Sequence, residues 1–121
     1  MTQVSIQKES KSFAIEIIKL YKFLVDEKKE FVLSKQLLRS GTSIGANVRE
    51  SKNAQSRNDF LNKLNIALKE ADETQYWLEL LHESGYLSDE MYNSIYFQCS
   101  RLVGTLVNII RTIKNNNDVA K

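Results

Sequence analysis

From Phe60 onward, apolar and small side chains recur at alternating steps of four and three: Phe60, Leu64, Ala67, Ala71, Thr74, Leu78 and Leu81. That spacing is a heptad seam, and it predicts a helix with one face turned to a partner. A second seam runs through Tyr92, Ile95, Cys99, Leu102, Leu106, Ile109 and Ile113. Nearer the N-terminus, Ala14, Ile17, Tyr21 and Leu24 make a stripe flanked by Phe13, Ile18 and Leu20. Leu37, Gly41, Ile44, Val48 and Ser51 make another. All of these segments have helical spacing and none has the period of a strand.

The residues between the seams read as helix ends. The cluster DEKKE, Asp26 to Glu30, reads as a solvated break. Ser34 is the expected N-cap of the second helix, Ser56 or Asn58 of the third, and Ser88 of the fourth. Asp59, Asp89 and Glu90 suit the first turns they fall in. Gly85 fits the left-handed position just past a helix end. The predicted helices cover about 5–27, 34–53, 58–84 and 88–114, and the polar tail Lys114 to Lys121 is expected to fray. Short connections between long helices predict antiparallel neighbours. The fold class is therefore all-α, a single up-down-up-down four-helix bundle spanning 1–121.

Composition strengthens this. The chain has no proline, where about six would be usual for its length, and long helices tolerate proline worst. Cys99 is the single cysteine, which excludes an internal disulfide framework and a multi-cysteine metal centre. Lys8, Glu9 and Lys11 interrupt any signal-like apolar start, and no apolar run approaches membrane length. The expectation is a cytoplasmic chain without a membrane partner. Tyr96, Val103, Val107 and Ile110 form a second apolar stripe, and Ile15 and Val25 lie outside the first helix's seam. A small bundle needs one apolar face per helix, so the surplus predicts self-association.

Net charge is only +2, but it is unevenly distributed. Residues 32–58 carry Lys35, Arg39, Arg49, Lys52 and Arg57 against Glu50 alone, while residues 59–90 carry eight acids and two bases. The basic segment contains SGTSIGANVRESKNAQSR, Ser40 to Arg57, whose glycines raise the question of a phosphate loop. Gly41 and Gly45 are four apart, Ala46 follows where a P-loop needs lysine, and no strand precedes them. The helical reading fits better: both glycines share a face with Leu37, Ile44 and Val48 and would let a neighbouring helix approach closely. Asn47 and Glu50 lie three apart and are candidates for a structural polar contact, either buried or exposed.

The stretch Leu37 to Leu87 resembles the small bacterial four helix bundle protein family, also called the 23S ribosomal RNA intervening-sequence protein family. Gln36, Leu37, Arg39, Ser43, Ile44, Ala46, Asn47, Val48 and Glu50 match the first part of its pattern. Phe60, Leu64, Ala67, Glu70 and Glu73 match the second, and Ser51 stands where many relatives have glycine. The resemblance implies an antiparallel bundle assembled as a ring-shaped homopentamer. It also implies kinship with the accessory protein of diversity-generating retroelements, which has a basic surface and partners a reverse transcriptase and nucleic acid.

Catalytic signals are weak by comparison. Glu79 and His82 form an E-x-x-H pair, but a bundle di-iron site needs two such pairs plus two further glutamates, and this chain has one histidine. Cys99 falls on an apolar seam and reads as a small core residue. Tyr76-Trp77 and Tyr96-Phe97 could stack bases, but they sit beside the seams, where packing is the simpler role. The residues predict no enzyme, no cofactor and no metal. Lys35, Arg39, Arg49, Lys52 and Arg57 are the candidates for binding RNA or DNA, repeated around an oligomer. The competing reading is a scaffold or protein-partner adaptor whose charges serve packing alone.

Overall fold

The computed structural model describes the backbone of residues 2–120 and the side chains of residues 6–116. It contains four helices and, among the described residues, no strand: α1 (Thr2–Asp26), α2 (Leu33–Ser51), α3 (Arg57–Glu83) and α4 (Asp89–Ala120). Each helix packs on its sequence neighbour, and α4 closes back on α1. The diagonal pairs, α1 with α3 and α2 with α4, make no backbone approach among the described residues. Cross-helix contacts run in opposite directions along neighbouring helices: Ser10 and Ile17 face Gly45 and Gly41, and Glu50 and Arg39 face Lys63 and Glu73. Tyr96 and Ser100 likewise meet Glu79 and Gln75. The square is therefore antiparallel throughout, as the short connections predict.

The α2 and α3 seams are buried as predicted, except that Phe60 is only half-buried. In α4, Ile95, Cys99, Leu102, Leu106 and Ile109 are buried, and Tyr92 and Ile113 flank them half-buried. Helix α1 is rotated from the predicted stripe. Ile6, Ser10, Phe13, Ile17, Leu20 and Leu24 face the core, Ala14 and Tyr21 lie at its edge, and Ile18 faces solvent. Phe13 and Leu20 are thus central rather than flanking. Polar groups inside the bundle are paired. The Ser40 and Thr74 hydroxyls lie 2.9 Å apart across the α2–α3 interface, and Thr74 Oγ1 is also 2.7 Å from Glu70 O. Among the described residues, no buried side-chain nitrogen or oxygen lacks a partner.

Two helix ends differ in how legible they are. At the end of α3, Gly85 has φ +88°, Tyr86 N donates to Leu81 O at 2.9 Å and Gly85 N to His82 O at 3.1 Å. That pair of bonds is the Schellman motif, with glycine where the left-handed backbone requires it. A Cβ there would meet nothing within 4 Å, so conformation and not space selects the glycine. The start of α2 departs from expectation. Ser34 lies inside the helix, Val32 holds the N-cap position, and the side chain that caps the helix is that of Glu30, only 8% exposed. Its carboxylate accepts from the backbone N–H groups of Val32, Leu33 and Ser34 at 3.2, 2.9 and 2.7 Å. The Ser34 hydroxyl donates back to Glu30 O at 2.8 Å. The chain reaches this geometry through a wide turn in which Lys29 takes a φ of 54° and Glu30 N donates to Leu24 O. Glu30 is therefore a structural group, and the remainder of the DEKKE cluster, Asp26 to Lys29, is the solvated part.

Candidate nucleic-acid interface

Gly41 and Gly45 set the distance between α1 and α2. A Cβ on Gly41 would lie 2.8 Å from both Ile17 Cγ atoms, and one on Gly45 would lie 3.2 Å from the Ser10 carbonyl oxygen. The close approach brings the solvent sides of the two helices together as one surface. On α2, Lys35, Thr42, Ala46 and Arg49 fall on one side of the helix by their spacing, and Lys52 follows at its C-terminus. Lys35, Arg49 and Lys52 are exposed and hold no ion pair among the described residues.

The other two candidate cations are used inside the molecule. Arg39 forms ion pairs with Glu73 and, at 3.4 Å, Glu70 across the α2–α3 interface. Glu73 also accepts from Trp77 Nε1 at 3.2 Å, which orients its carboxylate. Arg57 donates to the Ile113 carbonyl oxygen at 3.3 Å, tying the start of α3 to α4. Asn47 is half-buried and donates to Ser43 O at 2.9 Å within its own helix. Glu50 is exposed and accepts from Lys63 at 2.9 Å. That hydrogen bond, with the attraction of Glu50 and of Asp59, raises the Lys63 pKa. Asn47 and Glu50 thus act separately and share no site.

Sequence reasoning missed the cations of α1. Lys8, Lys11, Ile15, Ile18 and Lys22 follow one another at steps of three and four, and all are exposed. They form an outer stripe without a carboxylate. Counting charge along residues 1–31 hides it, because six bases and five acids nearly cancel. In the fold the two signs largely separate, with Lys19 kept on the α4 side by its ion pair to Glu16 at 3.4 Å. Glu9 and Glu16 line the grooves between α1 and α4, and Glu30 is buried as a cap. A helical projection of the charges, rather than their sum, was the signal available in the sequence. The antiparallel register sets Lys11 beside Arg49 and carries Lys22 toward the end of α2 that holds Lys35.

The residues considered for chemistry are engaged elsewhere. Glu79 accepts from the Tyr96 hydroxyl at 3.0 Å. His82 Nε2 lies 2.7 Å from Asp89 Oδ1, and its ring stacks on Tyr92 with centroids 4.1 Å apart. Cys99 is fully buried against Ala71 O, and burial, then the charge of Asp72, pushes its thiol up to about 12. A thiol so placed is protonated at neutral pH and a poor nucleophile. Trp77 and Tyr96 are half-buried in packing, while Tyr76 and Phe97 are exposed. Among the described residues, no cluster of His, Cys, Asp or Glu could hold a metal ion, and no helix is long and apolar enough to cross a membrane.

These observations define an all-α four-helix bundle with a basic face on α1 and α2 and no assembled catalytic constellation among the described residues. The chain belongs to the 23S rRNA-intervening sequence protein family, which it matches over residues 2–108. The resemblance carried by Leu37 to Leu87 is thereby extended to most of the chain. A similar solved structure is the crystal structure of a protein of unknown function from the S23 ribosomal protein family of Bacteroides thetaiotaomicron VPI-5482. It is 57% identical over 92% of this chain and 99% of that one, with a TM-score of 0.91. No curated protein matches the chain.

Proposed function

We propose that this chain is a non-catalytic, oligomeric bundle protein that binds nucleic acid through the α1–α2 face. The observation that carries the reading is the set Lys8, Lys11, Lys22, Lys35, Arg49 and Lys52, exposed and without ion-pair partners among the described residues. Long cations left free on one face suit a polyanion whose contacts are summed phosphate by phosphate. Self-association would repeat that face. Its support is exposed apolar surface apart from the basic stripe of α1: Phe31, Val32, Tyr76 and Phe97 are each at least 52% exposed. An open groove of about 400 Å³ between α1 and α4 adds the half-buried Phe23 and Met91. The homopentamer implied by the family resemblance is the assembly we favour.

The scaffold reading draws on Arg39 and Arg57, whose charges are spent on helix packing. Charge reversal separates the two. Arg49→Glu with Lys52→Glu should abolish RNA or DNA binding and leave assembly unchanged, whereas Arg39→Ala should lower the melting temperature without abolishing binding. Sedimentation should give a mass near five times 14.0 kDa. A stable monomer at micromolar concentration removes the oligomer, and nucleic acid that never binds the wild type leaves the scaffold.

A further inference from the structure

Lys11 and Arg49 line one notch of about 260 Å³ between α1 and α2, beside Gln7 and Thr42 and over the small residues Gly45 and Ala46. No carboxylate lines it. Both cations are exposed and unpaired among the described residues. The Thr42 hydroxyl and one of the two Gln7 N–H groups are already committed as donors. Gln7 Nε2 donates to Val48 O at 3.3 Å, and the Thr42 hydroxyl donates to Leu38 O at 2.8 Å. Each retains an oxygen that can accept; Gln7 also keeps a second N–H, whereas Thr42 can only accept. The notch therefore combines positive charge with hydrogen-bond acceptors. A bare anion satisfies the cations and the free Gln7 N–H but sets its own oxygens against the Thr42 hydroxyl oxygen, which has no proton left to give. A group that carries an anion and a neighbouring hydroxyl satisfies both.

We infer that the notch takes one ribose-phosphate unit of an RNA strand, with the phosphodiester on Lys11 and Arg49 and the 2′-hydroxyl donating to Gln7 or Thr42. This rests on the nucleic-acid reading above and adds to it the choice of sugar. The 2′-hydroxyl is the group by which a protein distinguishes RNA from DNA at a given site. Size agrees with a backbone unit. The notch is smaller than the roughly 300–1,000 Å³ of pockets that engulf whole small molecules.

The test is fluorescence anisotropy with a short single-stranded RNA and the DNA of the same sequence, with melting curves for every variant. The wild type should bind RNA about five- to tenfold more tightly than DNA, the size of one net hydrogen bond. Thr42→Val and Gln7→Leu should bring RNA down to the DNA level and leave DNA unchanged. If Gln7→Leu melts early for want of its bond to Val48, Thr42→Val carries the comparison, since valine keeps the shape of the half-buried threonine. Lys11→Gln with Arg49→Gln should weaken both polymers and flatten the salt slope by about 1.4. Equal wild-type affinity for RNA and DNA, or unchanged binding in the double variant, overturns the notch while the nucleic-acid reading stands. If the wild type binds neither polymer, that reading fails and an NMR titration with ribose 5-phosphate decides the notch by itself. Amide shifts at Thr42 and Arg49 that vanish in the double variant uphold it, and their absence overturns it.

Discussion

At the scale of single residues, glycines of one type have opposite roles. Gly41 faces Ile17 so closely that an added methyl would sit 2.8 Å from two carbons, while Gly104 has nothing within 4 Å. Gly41→Ala gains up to about 1 kcal/mol of helix propensity but overpacks the α1–α2 contact by about 1–3 kcal/mol, so it should destabilise. Gly104→Ala has only the gain and should stabilise by about 0.5–1 kcal/mol. Urea midpoints of the two variants should move in opposite directions. The half-buried Tyr96 and the buried Cys99 give a second residue-scale expectation. Desolvation, then the bond to Glu79, pushes the Tyr96 hydroxyl from 10.0 up to about 12, and burial moves Cys99 from 9.0 to about 12. Both ionise at lower pH in the unfolded chain than in the fold. Their contribution is whole below about pH 9 and is lost as pH rises toward about 12. The urea midpoint should therefore fall across that window, and less steeply in Tyr96→Phe with Cys99→Ala. Identical pH profiles for variant and wild type would contradict the assignment.

At the scale of elements, the sequence was readable where one signal dominated. The α3 seam has small and large side chains at unbroken heptad steps, and the Schellman turn has its glycine at the required position. Helix α1 was harder because it is apolar on more than one side. Ile15 and Ile18 are exposed, so hydrophobicity alone could not say which stripe faces inward. The position of the glycine pair on α2 decides it by drawing Ser10 and Ile17 into contact. Glu30 was illegible for a different reason: a glutamate at the end of a charge run looks solvated until the turn folds its carboxylate onto the next helix. Glu30→Ala should leave the buried N–H of Ser34 and the part-buried N–H groups of Val32 and Leu33 unpaired and cost about 2 kcal/mol in chemical denaturation. Glu30→Gln, which keeps an accepting oxygen, should lose less. A loss in the alanine variant below about 0.5 kcal/mol would mean that solvent serves these donors as well as the carboxylate does.

At the scale of the whole molecule, folding sorts charge that the chain mixes. The lysines and acids of α1 alternate in sequence, yet Lys8, Lys11 and Lys22 reach the outer stripe while Glu9 and Glu16 turn toward α4, where Lys19 stays paired with Glu16. Part of the basic set on α2 was legible as composition. Its division was not, because pairing of Arg39 with Glu70 and Glu73 depends on how α2 and α3 lie together. The bundle was legible because periodicity and loop length are properties of the chain. The face that would meet a partner depends on the register between helices. Nucleic-acid binding by that face is the central claim, and its salt dependence is the most direct measure. With Lys8, Lys11, Lys22, Lys35, Arg49 and Lys52 available, log affinity for single-stranded nucleic acid should fall with log salt at a slope of about −3 to −4. Absence of binding at low salt, or binding with no salt dependence, would contradict it.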